Sequence, residues 1–299
     1  MVIIIPRLMP GDPLAYSAEG GEVMISLKED DIQKFREYYG LDKPVFEQFK
    51  KTVENNLSGY FGQSIFYKQS VAKLIGERLP WTLYIMLFSL SSSLILGVIL
   101  ALICSKNKKS DSFIFSIMSI LGEIPAFIIG ILLLFLIGAN VSFLPLSGGI
   151  TPFKDFYSIW DLITDIFLHS LLPLTAMIII TTPNFFFTAR SSFQTVLNKQ
   201  YIETAKSKGL SSNRIRYKYI LLNSIFPIIA CFFMSVGTTV GGALLIENVF
   251  AYPGLGRLLK EAVHYRDYAL IQGVFLLSTF IVLCSSFVAD IINSKLNKG

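Results

Sequence analysis

The stretch Trp81–Cys104, WTLYIMLFSLSSSLILGVILALIC, runs for 24 residues without a charge. An α-helix crosses the hydrocarbon core of a bilayer with about 20 mostly apolar residues, so this run is long enough to span. A strand of this length has no place in lipid, where an open sheet edge leaves backbone groups unsatisfied. Four further runs share its character: Phe113–Ala139, Phe167–Phe187, Tyr219–Ile246 and Ala269–Ile292. The pattern predicts an all-α, polytopic membrane helix bundle with five full spans.

Composition agrees. Of the 299 residues, 53% are hydrophobic and only 16% charged, and mean hydropathy is +0.57. A soluble domain carries about a quarter charged residues. Cys104, Cys231 and Cys284 each lie in or at the end of an apolar run and read as small core residues. His169 and His264 are far apart, and nothing has metal-ligand spacing. The net charge of +5 is explained by where the cations fall, so no nucleic-acid partner is required.

Short cytoplasmic loops are enriched in Lys and Arg. Lys106, Lys108 and Lys109 follow the first full span, with Asp111 the only acid. Arg190, Lys199, Lys206, Lys208, Arg214, Arg216 and Lys218 follow the third, against Glu203 alone, and Lys295 and Lys298 close the chain. The 140–166 loop instead sets Lys154 against Asp155, Asp161 and Asp165. The basic segments therefore share one side, which puts the C-terminus of a multi-pass membrane protein in the cytoplasm.

Residues 1–9, with the apolar Val2–Ile5 followed at once by Pro6 and Arg7, read as the stub of a truncated first helix, and no basic region before it suggests a signal peptide. Residues 10–80 read as an extracytoplasmic region. Its short helices include one opened by Glu29, Asp30 and Asp31 after Ser26, with turns at Gly40–Pro44 and Gly59–Gly62; a loosely ordered loop is the alternative. Residues 81–299 form the core, interrupted by a cytoplasmic segment at 189–218.

Within that segment, Tyr201-Ile202-Glu203-Thr204-Ala205-Lys206-Ser207-Lys208-Gly209-Leu210 carries the mechanism. Tyr201, Ile202 and Ala205 share a helical face. Gly209 suits the left-handed position that ends a helix, and Ser211 or Ser212 can cap the next one. A rigid helix–Gly turn–helix can pass a push from a soluble partner into the fourth span; a solvated amphipathic loop is the plainer alternative.

Glu203, Thr204, Ala205 and Gly209 resemble the EAA loop of ABC-importer permeases, with Thr204 in place of the first Ala. Met9-Pro10-Gly11-Asp12-Pro13, Gly40–Pro44, Gly59–Ser64, Arg78–Leu83, Glu123–Phe127, Leu144–Gly149 and above all Gly241–Gly256 (GGALLIENVFAYPGLG) are similar to segments of the dipeptide, oligopeptide and nickel permeases. The likeness spans nearly the whole chain. It implies a type I ABC-importer permease fold with six spans, where this chain shows five and a stub. It also implies cargo of peptides, nickel or metal chelates. The implied partners are a second homologous permease, two cytoplasmic ATP-binding subunits, an extracytoplasmic solute-binding protein and membrane lipid.

The resemblance makes Tyr201, Ile202, Glu203, Thr204, Ala205, Lys208, Gly209 and Leu210 the ATPase-coupling residues. No G-x-x-x-x-G-K-[ST] occurs, so the chain has no phosphate cradle of its own. With no nucleophile–base pair either, it is expected to be no enzyme and to carry no cofactor, ATP being bound by a partner. Pathway or gate candidates are Glu123, Gly241, Gly242, Glu247, Phe250, Pro253 and Gly254. The plainer reading of Glu123 is a carboxylate paired with backbone or a neighbouring helix at a kink. Gly237, Gly241 and Gly242 suit close packing, either between subunits or within one. Pro173, Pro183 and Pro227 are expected to kink or break their helices. Two rival classes remain: a secondary transporter, which expects two similar halves where no repeat is visible, and an integral-membrane enzyme, which expects paired His, Asp or Glu near a membrane face.

Overall fold

The computed structural model describes residues 45–105, 108–138, 140–141 and 143–296. The stub at 1–9, the helix after Ser26 and the Gly40–Pro44 turn lie outside the described residues. In chain order the helices are α1 (Val45–Leu57), α2 (Val71–Cys104), α3 (Lys108–Glu123), α4 (Ala126–Leu133), α5 (Ile159–Leu197), α6 (Gln200–Ser207), the single turn α7 (Ser212–Arg214), α8 (Leu222–Val249), α9 (Leu255–His264) and α10 (Tyr268–Leu296). Wide π-helical turns follow α4, at Leu134–Gly138, and precede α8, at Ile215–Leu221. No strand of more than a single bridge occurs among the described residues.

Four of these helical stretches are long and apolar enough to cross a membrane: α2, α5, Ser212–Val249 and α10. The second predicted span is not one straight helix. It is α3 and α4 with its π-turn, bent by 100° at Ile124–Pro125. Pro125 has φ −58° and ψ 139°, an extended conformation that stops one helix and opens the next. Counting the bent pair as one crossing gives five.

The other prolines behave differently. Pro80, Pro173, Pro183 and Pro227 lie inside α2, α5 and α8, which continue through them. Pro80 therefore does not start or end a helix, and α2 begins ten residues before Trp81. Similarly, α5 spans 39 residues, roughly 58 Å at helical rise, and outruns a bilayer core at both ends. The expected cytoplasmic segment at 189–218 thus starts while α5 is still helical.

Two compact units divide the chain: Met1–Pro80 with Arg257–Thr279, and Trp81–Gly256 with Phe280–Gly299. In the first, Asp267 is the knot. It is fully buried. Its carboxylate accepts from Leu270 N at the start of α10 (3.1 Å), from Ser64 Oγ (2.5 Å) and from Phe66 N (3.3 Å). Burial pushes this carboxyl above the usual carboxylate range, and those three donors pull the other way. Phe66 stacks on Tyr265 with centroids 3.5 Å apart, and the Tyr67 hydroxyl donates to Glu261. The predicted turn contains Gly59 and Gly62, both with positive φ.

The second unit packs α2, α3, α4, α5 and α8 around three apolar clusters. One gathers Ala101, Met118, Phe193, Ile202 and Ile228; another Ile85, Ile129, Met177, Ala243 and Phe250; a third Met86, Phe185 and Val240. Cys104 is buried as expected, but Cys231 is half-buried and Cys284 is exposed.

An ion pair staples α3 to α5. Arg190 Nε and its terminal nitrogen donate to the two Asp111 oxygens at 2.6 and 2.7 Å, and the guanidinium lies 4.9 Å from the Phe115 centroid. Both side chains are only about a quarter exposed, so solvent screens the pair weakly. Asp111→Asn keeps the shape and removes the charge. It should cost about 2 kcal/mol, read as a lower thermal midpoint in detergent; an unchanged midpoint would show the pair to be ornamental.

The candidate coupling hairpin and the turn after α8

The α6 hairpin is built from local signals. Ile202 and Ala205 are its buried residues. They join the cluster that includes Phe193 and Val196 of α5, Ala101 of α2, Met118 of α3 and Ile228 of α8. The helix then ends in a Schellman motif. Gly209 N donates to Lys206 O at 2.9 Å, and Leu210 N reaches back to Ala205 O at 3.3 Å. Gly209 has φ +71°, a conformation that costs an L side chain strain, and a Cβ there would meet nothing within 4 Å. Leu210 packs against the same cluster. Ser211 then caps α7, its hydroxyl accepting from Arg214 N.

One predicted coupling residue sits differently from its helical-face assignment. Tyr201 is 42% exposed, not buried beside Ile202. It lies on the outward face with Glu203, Thr204 and Lys208. The anchoring face therefore consists of Ile202 and Ala205 alone, and the face open to a partner carries an aromatic, a carboxylate and a lysine.

The pathway candidates separate into two groups. Glu247, Phe250, Pro253 and Gly254 come together, but as the internal frame of a turn. Glu247 is fully buried, and Phe250 almost so. The Glu247 carboxylate accepts from Gly256 N at 2.5 Å, and its carbonyl from Tyr252 N at 2.8 Å. Gly254 leaves no room for a Cβ beside that carboxylate, and Pro253 fills the space over Gly149, where a Cβ would come within 2.6 Å. Phe250 O accepts from Gly148 N at 2.9 Å, and Leu255 N donates to Thr82 Oγ1 at 2.8 Å. Tyr252 meets Trp81 edge-on, and burial raises its phenol pKa. Glu247 and Phe250 are thus buried inside the turn that Pro253 and Gly254 make. A carboxylate after a long apolar helix is better held by backbone N–H groups of its own turn than left exposed, and the small Gly254 and Gly256 make that approach possible.

Glu123, Gly241 and Gly242 stand apart from that turn. Glu123 is exposed at the C-terminal end of α3, at the 100° break, and makes no ion pair among the described residues. Gly237 packs within the subunit, where a Cβ would lie 3.2 Å from Val282. Gly241 is exposed with open space around it, and a Cβ at Gly242 would lie 3.7 Å from Met177 and Ile180.

Sequence reasoning missed Asp267, Asp165 and the Asp111–Arg190 pair. Asp165 receives Thr151 N and Thr151 Oγ1, both at 2.7 Å, and so fastens the 140–158 loop to the start of α5. The available signal was an acid within the first turns of an apolar helix, a place where it serves as an acceptor for incoming backbone.

The elbow is thus keyed by two buried residues to several long apolar helices, with its polar face outward. Residues 93–299 match the family model of the binding-protein-dependent transport system inner membrane component, and the chain belongs to that family. It is 31% identical over 292 residues to the oligopeptide transport system permease protein AppB of Bacillus subtilis (strain 168), covering 97% of this chain and 89% of that one. It is 32% identical over 314 residues to the di/tripeptide transport system permease protein DppB of Pseudomonas aeruginosa (strain UCBPP-PA14), covering 97% and 90%. With the glutathione transport system permease protein GsiC of Escherichia coli (strain K12) it shares 30% over 302 residues, covering 99% and 91%. Among solved structures, a chain of the MetNI methionine ABC transporter in an inward-facing conformation superposes with a TM-score of 0.58 at 16% identity, covering 75% of this chain and 96% of that one. That likeness is one of fold.

Proposed function

We propose that this chain is the membrane-spanning subunit of an ATP-driven importer of peptides. The observation that carries the reading is identity of about a third, over nearly the full length, to three permeases named for oligopeptides, di- and tripeptides and glutathione. These favour a peptide cargo over nickel or a metal chelate. The chain is no enzyme by itself; ATP hydrolysis resides in separate subunits.

The finer assembly follows from the resemblance and the charges. The chain works beside a second homologous permease, two cytoplasmic ATP-binding subunits and an extracytoplasmic solute-binding protein. The bent α3–α4 pair counts as one crossing, because the 106–109 segment before it is basic and the 140–166 loop after it is acidic. That count puts the α6 hairpin and the C-terminus in the cytoplasm. Tyr201, Glu203, Thr204 and Lys208 face the ATPase there, while Ile202, Ala205 and Leu210 transmit its movement into α5 and α8. The hairpin is the two-state element whose position nucleotide biases. Glu123, a carboxylate at a break in a span, faces the route of the cargo.

The test is co-expression with the genomic neighbours, purification and reconstitution into liposomes. An ATPase should co-purify with this chain, and a labelled dipeptide loaded on the cognate binding protein should enter vesicles only with ATP. Failure to retain any ATPase would overturn the importer reading; ATPase retention with no peptide uptake would overturn the cargo.

A further inference from the structure

Between α4, α5 and α8 lies a cavity of about 350 Å³, a size that small-molecule sites commonly have. It opens mid-length along two spanning helices, and its walls carry Thr181, Asn184, Ser235, Thr238 and Thr239. None of its lining residues is charged. A run of hydroxyls and an amide at mid-span is costly unless each finds a partner.

Most of them do. Thr181 Oγ1 donates to Met177 O at 2.7 Å and meets Ser93 Oγ at 2.5 Å. Ser235 Oγ donates to Cys231 O at 2.7 Å and accepts from Asn184 Nδ2 at 2.8 Å. Thr238 Oγ1 donates to Ser235 O at 3.0 Å. Thr239 is the exception. It is 2% exposed, and its hydroxyl has no hydrogen-bond partner among the described residues. Valine has the same shape without the cost of a buried orphan hydroxyl. Asn184, held by one N–H, keeps its carbonyl oxygen and second N–H without partners among the described residues.

Resting on the peptide-importer reading above, we infer that this cavity is a cargo subsite that reads the peptide backbone, with Thr239 and Asn184 as its specificity-determining residues. A carboxamide and a hydroxyl that each offer a donor and an acceptor complement the N–H and C=O of a peptide bond. A neutral wall accepts side chains of either sign. Met177 and Ile180, which also line the cavity, supply an apolar surface, and the flexible thioether adapts to side chains of different shape. The site therefore selects for amide backbone and is permissive for sequence.

The experiment uses the reconstituted complex, with uptake of a dipeptide compared with the same dipeptide methylated on its peptide nitrogen. The binding protein is identical in every vesicle, so a change in the ratio between the two cargoes reports the permease alone. Thr239→Val and Asn184→Leu should each lower uptake of the unmethylated dipeptide about tenfold, one hydrogen bond's worth, and shrink its advantage over the methylated one. Thr239→Ser, which keeps the hydroxyl, should retain that advantage. Thr239→Val should not lower the thermal midpoint, since no intramolecular bond is lost. Wild-type uptake with an unchanged cargo ratio in Thr239→Val and Asn184→Leu would overturn this site while leaving the importer reading intact. A wild-type complex that takes up no peptide would overturn both.

Discussion

Gly209→Pro is expected to abolish ATP-driven uptake while the protein still reaches the membrane at its normal level. The native residue has φ +71°, and a proline ring holds φ near −65°. The substitution also removes the N–H that donates to Lys206 O, and reorientation of the chain breaks the Leu210 N to Ala205 O bond beside it. Together the lost donor and forced φ cost about 3 kcal/mol or more, concentrated where α6 turns toward α8. Insertion is untouched, because it is set by apolar runs and by the basic residues of the loops. Gly209→Ala makes the graded comparison. Nothing crowds a Cβ there, so only the left-handed strain of about 1–2 kcal/mol remains, and uptake should fall partly. Glu203→Lys tests the outward face by reversing a carboxylate without touching the buried anchors, and it should match Gly209→Pro. The checks are uptake in vesicles and membrane abundance by immunoblot; normal uptake in Gly209→Pro would end the coupling assignment.

The spans and the hairpin were legible because each is encoded locally. An uncharged run such as Trp81–Cys104 has one low-energy solution in lipid, and Gly209 with Ser211 punctuates two helices by backbone chemistry alone. What escaped depends on partners distant in sequence. Nothing near Glu247 announces that Gly256 N will turn back onto it, or near Asp267 that Ser64 and Phe66 will meet it from 200 residues away. Nor does the sequence show which proline ends a helix: α5 continues through Pro173 and Pro183, whereas the chain breaks at Ile124–Pro125. The backbone-reading cavity was equally invisible, since Asn184 and Thr239 are 55 positions apart and only the packing of α5 on α8 joins them.

That long-range bonding makes Gly256→Ala the substitution with the largest expected effect on stability. A Cβ at this position would stand 2.5 Å from Leu244 Cα and 2.8 Å from Leu244 C, with Leu244 O closer still. These are backbone atoms in the interior of α8, flanked by the fully buried Ala243 and Ile246, so the neighbour cannot rotate away as a side chain would. Gly256 cannot withdraw either. Its N–H donates to the buried Glu247 carboxylate, and its carbonyl accepts from Asn248 Nδ2 at 3.2 Å. Relieving the clash pulls one of these groups off its partner and takes a donor from a carboxylate inside the protein, a loss of about 3–5 kcal/mol. Gly241→Ala, on the same helix but with no atom within 4 Å of its Cβ, separates local crowding from a general intolerance of alanine. Thermal unfolding in detergent should show a large drop for Gly256→Ala and almost none for Gly241→Ala. Equal midpoints would mean that the Glu247 turn does not lock this segment to α8.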